Sequence, residues 1–78
     1  MSRVEIEAGR IVVMISAEIY DAMERLGISQ NEMAKRIGCT RGHLSNILNG
    51  RNLLSLPMMI KIGEACGGWW DISLESYE

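Results

Sequence analysis

At 78 residues and a formal net charge of −2, the chain is one small domain, and its 47% apolar content suits a globular core rather than a disordered segment. No apolar run nears the roughly 18 residues that cross a bilayer, and Glu5 and Glu7 break a signal peptide's basic-then-apolar layout. A cytoplasmic protein with no membrane partner is expected.

From the N-terminus, Val4 and Ile6 alternate with Glu5 and Glu7, Ala8-Gly9 offers a turn, and Ile11-Val12-Val13 is β-branched. This pattern predicts a short hairpin over residues 3–14, closed by a loose or bulged loop. Ser16 then reads as a helix cap, with Glu18 near the positive end. Ile15, Ile19, Met23 and Leu26 recur at i, i+4, i+8 and i+11 as a core-facing stripe that stops at Gly27.

Ser29 caps the next helix, Gln30 to Ile37, which buries Met33, Ala34 and Ile37. Thr40 caps a third, running to Leu48 or Asn49, with Leu44 and Ile47 inward and Gly50 beyond it. Ser55 opens a fourth, with Pro57 in its first turn, where a missing N–H costs little, and Gly67-Gly68 ends it. In the tail, Ile72 and Leu74 alternate with Ser73 and Glu75, which predicts a strand over residues 71–76 that could pair with the hairpin. The whole is one domain over residues 1–78, with its core at about 16–66.

Charge is unevenly placed. Residues 29–61 hold Lys35, Arg36, Arg41, Arg51 and Lys61 against the single acid Glu32, a local balance of +4 between acidic ends. Such a molecule is polar, with one face that attracts phosphate. Within that stretch two short helices are joined by a tight turn, the arrangement of a helix-turn-helix. Ala34 is small where the helices cross, Gly38 suits positive φ at the turn, and Cys39 tucks beneath it. Met33, Ile37, Leu44 and Ile47 are apolar where the pair must grip the body.

The segment ISQNEMAKRIGCTRGHLSNILNGR resembles the helix-turn-helix regulators of the lambdoid phage repressor and Cro kind, the xenobiotic-response-element type. The resemblance covers about residues 16–66. It implies a mainly α, compact four-helix repressor-like domain, to which the hairpin and tail strand would be additions, and a function of operator binding as a homodimer on double-stranded DNA. Residue by residue it puts Gln30 against a phosphate and Thr40, Arg41, Gly42, His43 and Asn46 on the groove-facing side. Asn49, Arg51 and Asn52 would reach the sugar-phosphate backbone. The chemistry is compatible: Arg can fork onto guanine O6 and N7, and Asn can pair with adenine N6 and N7.

Other readings compete at several positions. Arg41 can serve a phosphate instead of a base, and Lys35 and Arg36 suit a solvated helix face. Six methionines read as core filler, and Trp69 and Trp70 as core or subunit contact. Surplus apolar residues around Leu53, Leu54, Met58, Trp69 and Trp70, or the edge of the tail strand, are candidates for the two-fold contact. The family also includes toxin-binding antitoxins, so a toxin or other protein partner is the alternative, as is an interaction module that no longer binds DNA. Cys39, Cys66 and the single histidine, His43, do not make a zinc site, and no cofactor is expected. With no nucleophile–base pair and no phosphate loop, an enzyme is not expected either.

Overall fold

The computed structural model describes residues 1–52 and 54–77, which form four helices: α1 (Arg3–Leu26), α2 (Gln30–Ile37), α3 (Arg41–Leu48) and α4 (Leu56–Ala65). Local chemistry sets where the last three begin. The hydroxyl of Ser29 accepts the Glu32 N–H and that of Thr40 the His43 N–H, each at 3.1 Å, while Ser55 accepts the Met58 N–H at 3.3 Å. Each such cap satisfies an otherwise orphaned donor and contributes about 1 kcal/mol.

The expected hairpin over residues 3–14 does not form. Those residues are the first half of α1, a single helix of 24 residues. Ser2 caps it: its Oγ accepts the Glu5 N–H and donates to the Glu5 carboxylate, both at 3.1 Å. This Ser-x-x-Glu box, with Val4, Ala8, Ile11 and Ile15 at helical spacing, outweighs the two-residue alternation on which the hairpin rested. The strand preference of β-branched residues depends on context, and Gly9 inside a helix costs only about 1 kcal/mol.

Ser16 is therefore no cap. It lies in mid-helix, buried, and its hydroxyl donates to the Leu48 carbonyl at 2.8 Å, tying α1 to the last turn of α3. Leu26, expected at the end of the buried stripe, is half exposed, and Ile28 takes the place in the core.

The expected strand over 71–76 is absent too; residues 69–77 form no strand. With the N-terminus helical there is no hairpin edge for it to join. The tail is held by side chains instead. The Trp70 indole N–H donates to the Met59 carbonyl at 2.6 Å, and the Arg3 guanidinium donates to the Tyr77 hydroxyl. Gly63 makes room for the indole, since a Cβ there would sit 2.9 Å from Trp70 Nε1. Trp69, by contrast, is 88% exposed, and Leu53, expected in an apolar surface, lies outside the described residues.

The core forms where α2 packs on both α3 and α4 and the second half of α1 closes over it. Met33 and Leu44 are fully buried at its centre, with Ile19, Met23, Ile37 and Ile62 around them. Cys39 and Cys66 are free thiols, half-buried against this cluster. Burial pushes the Cys66 thiol up from its ordinary pKa, with Arg36 and Arg25 pulling the other way, so it stays protonated and behaves as a small hydrophobe.

Candidate nucleic-acid interface

α2 and α3 meet across a turn that the backbone closes on itself. Gly38 stands at φ 76°, its N–H donates to the Lys35 carbonyl at 3.3 Å, and the Cys39 N–H donates to the Ala34 carbonyl at 2.9 Å. A residue with a Cβ is strained at that φ, so glycine is the residue that lets the chain reverse here. Ala34 itself is buried at the crossing.

α3 is braced from within by Leu44, Ile47 and Leu48, all buried, and from α1 by the Ser16 hydroxyl on the Leu48 carbonyl. Its other side is open. Thr40, Arg41, Gly42 and His43 are exposed and Asn46 is half-buried. The helix from Arg41 to Leu48 contains no acidic residue, and among the described residues Arg41 has no ion-pair partner. The Thr40 hydroxyl accepts the His43 N–H at the start of the helix.

The loop after α3 folds back over the helix. The Arg51 and Asn52 N–H groups both donate to the Asn46 carbonyl, at 2.8 and 3.2 Å. This brings Asn52, expected at a phosphate, beside His43 of α3, with Nδ2 3.4 Å from Nδ1. The Asn49 amide donates to Ser45 Oγ at 3.3 Å, and Arg51 projects into solvent from the same loop. Gln30 is half-buried in the first turn of α2, where free backbone N–H groups and the positive end of the helix dipole favour an anion.

Two features of this site escape a reading of the sequence by residue type. Ser16 clamps the far end of α3; the available signal was a hydroxyl lying between Ile15 and Ile19 on an apolar stripe. Arg36, one of the five basic residues in the central stretch, is engaged within the fold. Its Nε pairs with Glu32 at 3.2 Å and its Nη1 donates to the Ala65 carbonyl at 2.9 Å, at the negative end of α4. That leaves Arg41 and Arg51 as the cations on α3 and its loop.

No group of three His, Cys, Asp or Glu among the described residues is placed to hold a metal ion. No described helix is long and apolar enough to cross a membrane.

A helix-turn-helix family model matches residues 19–68, which include α2, the turn, α3, its loop and α4. No curated protein and no solved structure gives a match.

Proposed function

From the premise that the chain belongs to the helix-turn-helix family of the Cro and C1 type, a family of DNA-binding regulators rather than of catalysts, we propose that it is a sequence-specific repressor. It would read a palindromic operator in the major groove as a homodimer. One observation carries this reading most: α3 is held by three buried side chains while its outer face offers Arg41, His43 and Asn46 and no acid.

In this reading α3 enters the groove N-terminus first. Arg41 forks onto a guanine, Asn46 pairs with an adenine, and His43 donates to a base acceptor, while Thr40 and Gly42 supply the close apolar approach that a thymine methyl accepts. Gln30, Asn49, Arg51 and Asn52 hold the sugar-phosphate backbone on either side and set the register.

Selection of bound sites from a random duplex pool tests this. The expected outcome is a two-fold symmetric consensus with half-sites about 10 base pairs apart, centre to centre. Failure to enrich any sequence above a scrambled pool would overturn it. Arg51→Ala should weaken binding to all duplexes alike and make the salt dependence shallower by about one phosphate contact.

A further inference from the structure

α1 is the longest helix, and the core uses only its second half. Ile15, Ile19 and Met23 pack into the cluster, and the same face continues toward the N-terminus as Val4, Ala8 and Ile11 with no core beneath it. Val4 is 77% and Ile11 48% exposed, and further round the helix Ile6 and Val13 are more than half exposed. The charged residues of this half are four: Arg3, Glu5, Glu7 and Arg10. A helix apolar around most of its girth is ordinarily buried. This half also precedes the span that the family model matches.

We propose that a second copy of this chain covers this face, the two α1 helices running antiparallel and crossing at Ala8. Symmetry and charge point to a copy rather than to another partner. A two-fold axis passing between Glu7 and Ala8 returns Val4 against the partner's Ile11, and Ile11 against the partner's Val4. A small side chain at the crossing lets the helix axes approach closely.

The charges of this half cancel, with Arg3 and Arg10 against Glu5 and Glu7. Glu7 and Arg10 share one flank, forming a pair at 2.6 Å, and an antiparallel copy sets the partner's Arg10 beside each Glu7. An anionic membrane would call for a polar face rich in Lys and Arg, and a basic protein for an acidic one; this half, with two charges of each sign, is neither.

The inference takes from the proposed function only the number of copies, and its test uses no DNA. In sedimentation equilibrium the full chain is expected at twice its monomer mass at tens of micromolar. V4E/I11E should weaken pairing by about 100-fold while keeping its helical circular dichroism and its cooperative melt. Ala8→Cys, with Cys39 and Cys66 changed to Ser, should form an interchain disulfide on mild oxidation, which decides the matter should V4E/I11E lose its helix. A monomeric wild type overturns the proposal, whether it stays free, binds phosphatidylglycerol vesicles or pairs with a different protein. So does a dimer that V4E/I11E leaves intact. Arg41→Ala should leave pairing unchanged, so a chain that pairs yet selects no DNA sinks the groove reading alone.

Discussion

α2 and α3 are built alike and used oppositely. Each has eight residues, each opens on a hydroxyl that accepts the N–H three residues on, and each buries three side chains. On α2 an outer arginine is turned to holding the fold: Arg36 reaches both Glu32 and the last turn of α4. On α3 Arg41 is left facing solvent, with Gly42 and His43 beside it. A cap and three apolar residues determine that a short helix forms and which side is buried. What the remaining side chains touch decides whether it braces the fold or keeps an open outer face.

The strongest blow to this comparison is a cavity under α3. Leu44 is fully buried, and Leu44→Ala should cost about 2–5 kcal/mol of stability, read as a large fall in melting temperature. A loss below about 1 kcal/mol would mean that α3 is not held as described. Arg41→Ala should do the converse, reducing affinity for a selected operator by about 1–3 kcal/mol with the melting temperature nearly unchanged. If the same loss appeared on scrambled duplex, Arg41 would be a phosphate ligand and the groove-facing side would have to be redrawn.

Gly42→Ala sharpens the contrast further. A Cβ there meets nothing within 4 Å, so the free protein should gain up to about 1 kcal/mol from better helix propensity. Should affinity fall while stability rises, the bare backbone at Gly42 lies against DNA. Arg36→Ala should have the smallest effect, a loss of about 0.5 kcal/mol in stability from an exposed pair and its carbonyl contact, with operator affinity unchanged. A fall in affinity greater than that in stability would move α2 from brace to contact surface.

The central residues were legible in the sequence because their signals are short-range. Ser29, Thr40 and Ser55 cap where they stand, Gly38 turns the chain where the two amphipathic patterns break, and α2 runs from Gln30 to Ile37 as its pattern predicts. The N-terminal region misled because two periods overlap there. Val4–Glu7 alternates over four residues, while Val4, Ala8, Ile11 and Ile15 repeat over twelve, and the longer pattern prevails once Ser2 and Glu5 close the first turn. The contact of Asn52 with His43, the grip of Arg36 on α4 and the bond from Ser16 to Leu48 link residues 9, 29 and 32 positions apart. Packing decides such pairs, and residue type at one position does not announce them.

The bond from Ser16 to the end of α3 makes α1 more than a lid. Because α1 is unbroken from Arg3 to Leu26, about 36 Å of rod meets α3 at one fixed point, and Val12 rests against Gly50 just beyond it. The outer half therefore acts as a lever arm. One residue inserted between Val12 and Ser16 would turn that arm by about 100° relative to α3. In the proposed dimer, where the arm is gripped would set the phase at which α3 meets the duplex.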